Sequence, residues 1–136
     1  MIITTDWLKE HNACSEGMDW FSMQSETDGR AVMESLISAG EIEWANWLIT
    51  RMLDRKSRIR YAVFAAEQVL DIFEKQYPKD KRPRIAIESA RLVLKNDTPE
   101  TRAASKDAGE SAWASGNADE AAGASSWAAG AAAWAA

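Results

Sequence analysis

Apolar residues recur along this chain in steps of three and four. The clearest series is Ile59, Ala62, Val63, Ala66, Val69, Leu70, Phe73 and Tyr77. It draws one stripe along about six helical turns and predicts an amphipathic helix over 56–77. Pro78 closes that helix. Asp80-Lys81-Arg82-Pro83-Arg84 then reads as a turn into a helix over 85–95, with Pro83 tolerated in the first turn and Ala86, Ala90, Val93 and Leu94 as the buried face. Upstream, shorter helices are predicted over 5–10, from Ser15 with that serine as N-cap, and over 28–39, where Gly40 stands at the position of a C-terminal cap. Between 41 and 53, Trp44, Ala45, Trp47, Leu48, Ile49 and Met52 cover more than one face, predicting a helix contacted on two sides. Thr98-Pro99-Glu100 opens a further helix with a capping hydroxyl, a proline at its first position and an acid in its first turn.

The last 28 residues divide into four sevens, each opened by a glycine: Gly109, Gly116, Gly123 and Gly130. Four places after the glycine stand Trp113, Trp127 and Trp134, with Glu120 in the remaining slot. Residues four apart share a helix face, so glycine and tryptophan form one stripe. A glycine inside a helix costs roughly 1 kcal/mol against alanine. Four of them at strict period imply close packing, each glycine leaving a hollow that an indole on a facing helix fills. A period of 3.5 residues per turn keeps such a seam aimed at its partner. The tail is one long helix or a hairpin; Ser115-Gly116-Asn117 has turn character, with Asn117 as cap and Glu120 closing a capping box, and favours a break near Gly116.

These patterns predict an all-α protein: a single-domain bundle of six to eight helices over 1–136, with 1–98 as the bundle proper and 99–136 packed on it or on a partner. The helix over 56–77 is expected at its centre. Three prolines in 136 residues agree with long helices. Seven tryptophans against two tyrosines and three phenylalanines call for many aromatic anchors, in a core or at an interface. Cys14 is the one cysteine, so no intramolecular disulfide framework exists, and a reducing cytoplasm suits the chain. The start turns polar at Thr4-Thr5-Asp6, and the longest apolar run, over 127–136, is too short and alanine-rich for a bilayer. No membrane partner is expected.

The net charge of -5 conceals a segregation. Residues 1–50 carry nine acids and two bases, 51–95 carry six acids and twelve bases, and 96–136 carry six acids and two bases. The basic middle can pair with its acidic flanks or present a face of opposite sign to partners. Arg51, Arg55, Lys56, Arg58 and Arg60 could touch phosphate, but Arg51, Arg55 and Arg58 fall opposite the apolar stripe, where solvated charges belong. A pI near 4.9 disfavours direct nucleic-acid binding.

Catalytic chemistry finds little support. His11 and Cys14 are three apart, but two ligands do not make a zinc site and no other His or Cys exists to complete one. A Cys–His nucleophile pair is weaker than a buried thiol beside a solvated imidazole. Glu41 and Glu43, with Asp54, read as a solvated acidic face. No phosphate-binding glycine loop is present, since every glycine past Gly40 belongs to the heptads. The chain is therefore expected not to be an enzyme, and to use no metal and no cofactor.

The stretch Ala65-Ala66-Glu67-Gln68-Val69-Leu70-Asp71-Ile72-Phe73-Glu74, followed by Tyr77-Pro78-Lys79-Asp80-Lys81-Arg82-Pro83-Arg84-Ile85-Ala86-Ile87-Glu88, resembles a family of helical immunity proteins of bacterial polymorphic-toxin systems, also found in phages and prophages. Its members carry a similar proline- and arginine-containing segment before an alanine-rich region with regular aromatics. The segments over 7–14 and 44–48 also look like that family's N-terminal half. The resemblance implies a stoichiometric protein inhibitor whose partner is a toxin or, for a phage-borne chain, a host defence complex such as a CRISPR effector. From another class, the alternative is a structural or assembly module that oligomerises through the Gly/Trp tail, for instance as a homodimer. Candidate partner-binding residues are Asp80, Arg82, Arg84, Trp113, Glu120, Trp127 and Trp134. Asp80 can equally cap a helix, and Arg82 or Arg84 can pair with Glu74 or Glu88 to lock an inter-helix angle.

Overall fold

Side chains take up the open main-chain amides at several helix starts, as the sequence leads one to expect. A computed structural model describes residues 1–116 and 120–136. Among them run α1 (Thr5–Glu10), α2 (Ser15–Ser22), α3 (Gly29–Ser38), α4 (Ile42–Met52), α5 (Arg55–Gln76), α6 (Arg82–Lys95), α7 (Pro99–Ser115) and α8 (Glu120–Ala135). The protein is all-α, and the β structure among the described residues is one isolated bridge between Ile2 and Asp28. Thr4 accepts from the Trp7 amide, and Asp28 accepts from Arg30 and Ala31. Thr98 and Thr101 form a reciprocal capping box at the start of α7, with Pro99 just inside it. Such caps stabilise a helix by about 1 kcal/mol each. One expected cap moves by a residue: Cys14, not Ser15, precedes α2, and its sulfur accepts from the Gly17 amide at 3.4 Å. Gly40 has φ +82°, the left-handed conformation expected after α3.

Contacts separate the chain into two compact units, Met1–Asp54 and Arg55–Ala136. A single domain over 1–136, with its division at residue 98, stays a proposal about how they combine. In the first unit, Ile3, Leu8, Val32, Leu36, Ala45 and Leu48 form a small core. Around it lie the half-buried rings of Trp7, Trp20, Phe21, Trp44 and Trp47. Gly29 lets the main chain pass close to Met52 and the Met1 carbonyl, since a Cβ there would come within 2.6 Å of the Met52 methyl carbon.

The second unit is a bundle of four antiparallel helices. The α5–α6 pairing is marked by ion pairs Glu74–Arg84 and Glu67–Arg91, two turns apart on each helix. Its core is Ile59, Val63, Ala66, Leu70, Ala86, Ile87, Ala90, Val93, Ala112, Ala129, Ala132 and Ala133. Seven of these twelve are alanine, so the helices must approach closely to exclude water. Both α6 and α8 pack against all three other helices, while α5 packs chiefly on α6 and α8. The helix over 55–76, expected at the centre, is therefore a flank. The centre belongs to the α6–α8 diagonal because only small side chains permit a short diagonal.

The tail is a hairpin. Helix α7 ends at Ser115 with Gly116 as its cap, α8 begins at Glu120, and the two run antiparallel. Every heptad glycine is buried. A Cβ on Gly109 would lie 2.7 Å from the Trp134 ring and 3.1 Å from the Gly130 carbonyl oxygen. One on Gly130 would overlap the Trp113 ring and one on Gly116 the Trp127 ring, while one on Gly123 would lie 2.5 Å from the Gly116 carbonyl oxygen. Glycine hollows thus face indoles in one antiparallel register. The buried serines are satisfied inside the seam: Ser126 donates to the Ala112 carbonyl at 2.5 Å and Ser105 to that of Ala133 at 3.0 Å. The Asn117 cap proposed for this turn lies outside the described residues.

This packing predicts that Gly123→Ala destabilises the protein although alanine is the better helix former. Propensity favours the variant by about 1 kcal/mol. A methyl 2.5 Å from the Gly116 main-chain oxygen is expected to reverse this, for a net loss of roughly 1–3 kcal/mol. A lower thermal midpoint by circular dichroism is the expected result, and a higher one refutes the packed seam.

Candidate protein-binding surface

Three of the seven sequence-selected residues form one feature of the hairpin. Trp113, Trp127 and Trp134 are 50%, 45% and 55% exposed, so each indole is neither core nor free. One side of each ring lies on a glycine of the facing helix, which holds its orientation. Trp113 and Trp134 cover the crossing of Gly109 and Gly130, and Trp127 covers Gly116 one heptad away. The rings therefore make a row along the seam, each half exposed, with the Nε1 edges of Trp113 and Trp127 turned into the glycine hollows. Lys106 sits 5.4 Å from the Trp134 ring centroid, adding a cation at that end. The rings are not fully buried because the helix backbones already touch, leaving indoles no space between them. The side chain of Glu120, the fourth heptad slot, lies outside the described residues.

The other three selected residues group by themselves at the start of α6. Arg82 lies across Asp80 with paired contacts of 2.9 and 2.5 Å, and Asp80 also accepts from the Arg82 amide at 3.1 Å. Arg84 grips Glu74 with two bonds of 2.6 and 2.5 Å, and Lys81 approaches the same carboxylate at 3.6 Å. The Arg84 hydrogen bonds hold the Glu74 carboxyl below its usual range, and the Arg82 bonds do the same for Asp80. These contacts pin the α5–α6 connection: Asp80 serves the first amide of α6, and Arg84 ties α6 to the end of α5. Bidentate pairs of this kind are geometrically specific. Arg82 and Arg84 each use part of their donor fork on an intramolecular carboxylate.

The remaining candidate chemistry disperses. His11 stacks on Trp7 at 4.0 Å and shares its Nδ1 with the Trp7 carbonyl, whereas Cys14 caps α2. Cys14 is exposed, which corrects the expectation of a buried thiol. The basic cluster does not share one helix face. Arg51 belongs to α4 and lies over the Trp47 ring at 4.6 Å, while Arg55 in α5 pairs with Asp97 and the Ala136 main-chain oxygen. Among the described residues no group of three or more His, Cys, Asp or Glu side chains is arranged to hold a metal ion. Nor is any helix long and apolar enough to cross a membrane.

One concavity had no counterpart in the sequence reading. In the first unit, Trp20, Phe21, Trp44 and Trp47 line a cleft of about 290 Å³ that opens beside Glu43, Asn12 and Cys14. The available signal was four tryptophans between positions 7 and 47. Which of their faces remain open depends on how four short helices meet, and periodicity within each helix does not report that.

Comparison with known proteins divides the chain at nearly the boundary between its two units. Residues 49–136 match the family model described as Imm-5 like putative immunity protein. Residues 1–56 match the YdhT N-terminal domain. The segments over 7–14 and 44–48, expected to continue the immunity family, thus precede its matched region and fall within the second model. No curated protein and no solved structure matches.

The ion-pair geometry has a pH consequence. Glu74 titrates below its ordinary 4.5 in the folded chain, so its pair with Arg84 contributes stability that is full above pH 4.5 and lost as pH falls through the lower folded value. Arg84→Met is expected to lower the thermal midpoint slightly at pH 7, with the gap to the parent closing under acid. Melts at pH 7, 5 and 3 check this; a gap that persists at the lowest pH shows that Arg84 acts by packing alone.

Proposed function

Since the chain belongs to the Imm-5 like immunity-protein family, we propose that it is a non-enzymatic inhibitor that binds one protein target stoichiometrically. The target in this reading is a toxin, met in the cytoplasm. A host defence complex blocked by a phage-borne copy is the second target class, with the same mechanism. The observation that carries the reading is the row of Trp113, Trp127 and Trp134, half exposed and seated on glycines within the family-matched region. Rigid indoles are efficient binding anchors. They bring large apolar area and lose little conformational freedom on binding, because their rotamers are already held. Asp80, Arg82 and Arg84 contribute a charged rim at the start of α6 in this reading, steering association more than adding affinity. Glu120 is assigned to the same surface from its place in the heptad pattern. No bond-making step is required of any residue.

The same row supports a second reading, in which a second copy of the chain covers the indoles and the tail drives assembly. The two differ in what happens without a target. An inhibitor remains monomeric over a wide concentration range, whereas an assembly module shows concentration-dependent mass and melting.

The inhibitor reading is tested by co-expressing the chain with candidate toxins taken from its own gene neighbourhood. Protection of the cells and a one-to-one complex on size-exclusion chromatography are expected. Trp127→Ala is expected to abolish protection while remaining helical. Removing a half-exposed indole is expected to cost about 2 kcal/mol, below the 3–5 kcal/mol typical of full burial. Full protection by a folded Trp113→Ala, Trp127→Ala, Trp134→Ala triple variant refutes this surface, and absence of protection by the parent refutes the function.

A further inference from the structure

The aromatic cleft of the first unit lies outside the immunity-family region and is independent of the hairpin. Its wall is almost wholly apolar: Trp20 and Phe21 from α2 and Trp44 and Trp47 from α4, with Leu8 and Leu48 at its base. At about 290 Å³ it stands at the small end of ligand sites, which run from roughly 300 Å³ upward. A solvated surface would leave such rings packed together; here they stand around a space.

Two polar residues stand on the lining, and one of them, Glu43, gives the space a sign. Glu43 directly precedes Trp44 on α4, and among the described residues its carboxylate makes no hydrogen bond and no ion pair. Asn12 is held at the cleft in a left-handed conformation, φ +58°, between α1 and α2. The unit around them is acidic: residues 1–54 carry ten acids against three bases. Of those bases, Arg30 is engaged by Glu34, and Arg51 lies over Trp47. An aromatic wall attracts cations through its π faces, and a carboxylate at the same opening, inside a negative unit, adds to that attraction. An anion would meet repulsion there, and a neutral apolar molecule would leave the carboxylate without use.

We infer that the cleft bounded by Trp20, Phe21, Trp44 and Trp47 binds a compact organic ammonium group, its apolar body against the rings and its charge beside Glu43. That chemistry is offered both by a free amine and by a lysine side chain on a protein, and the two sources are separable by experiment.

The test uses the full chain and follows intrinsic tryptophan fluorescence and calorimetry. The probes are 2-phenylethylammonium, the neutral 2-phenylethanol, the anionic phenylacetate, and a capped Ala-Lys-Ala peptide. The expected order is cation over alcohol by about tenfold, with phenylacetate weakest. Glu43→Gln is expected to erase the preference for the cation over the alcohol while the chain stays folded, with only a small fall in thermal midpoint because the carboxylate lies in the first turn of α4. Trp44→Ala is expected to weaken both cation and alcohol. Tighter binding of the peptide than of 2-phenylethylammonium assigns the group to a protein side chain, and the reverse assigns it to a free amine. Equal affinity for amine and alcohol, a preference that survives Glu43→Gln, or no binding of either cation at millimolar concentration overturns the proposal. None of these outcomes bears on toxin protection, so the two readings fail separately.

Discussion

The arrangement of the second unit depends on one contact, the approach of the α7 and α8 backbones until carbonyl oxygens occupy space where side chains would ordinarily begin. At Gly109 and Gly130 each missing Cβ would come within 3.1 Å of the other residue's oxygen, and at Gly123 the gap to the Gly116 oxygen would be 2.5 Å. No residue but glycine fits there without displacement. The helix propensity given up at Gly109, Gly123 and Gly130 is offset by van der Waals contact along the whole seam. The same closeness pushes the indoles outward. A ring as large as tryptophan finds no room between touching backbones, so it lies along the edge, half packed and half exposed. Internal packing and the proposed binding surface are thus two results of one steric constraint.

That constraint also explains why α8 is central despite having no large aliphatic residue. Apart from the two tryptophans at its edge, its alanines, glycines and serines let three helices approach it closely. α5, α6 and α7 all reach it, and its Ser126 hydroxyl is absorbed by the Ala112 carbonyl across the seam. The larger apolar residues, Ile59, Val63, Leu70, Ile87 and Val93, come from α5 and α6 and close the space that the small residues leave. Charged pairs then set the ends. Arg84 and Glu74 fix the α5–α6 connection at one end, and at the other Arg55 joins the start of α5 to Asp97 and to the end of α8.

The first unit follows another rule. Four short helices around six buried residues leave large rings only partly covered, and the opening between α2 and α4 is the result. An open aromatic cleft is a standing cost in water, because apolar area remains unburied. Occupation by an ammonium-bearing group removes that cost and gives the unpartnered Glu43 carboxylate a counter-charge.

The sequence by itself determined the helices, because helix formation is local. The spacing from Ile59 to Tyr77 marked α5 to within a residue or so, Thr98-Pro99 marked the start of α7, and Gly40 marked the end of α3. The hairpin break near Gly116 and the glycine–indole seam were legible too, since a strict heptad encodes both a face and its neighbour's spacing. The Tyr77-to-Glu88 segment pointed to the right family. What the sequence did not determine depends on positions far apart along the chain. Nothing local ranks α8 above α5 as the central element; that ranking comes from which helices are thin enough to be approached by three others at once. Nothing local shows that Arg84 chooses Glu74 rather than Glu88, or that Arg51 leaves its basic neighbours for the Trp47 ring. The exposure of Trp113, Trp127 and Trp134, and the cleft beside Glu43, were decided only by tertiary packing, because an open surface is whatever area the neighbouring helices fail to cover.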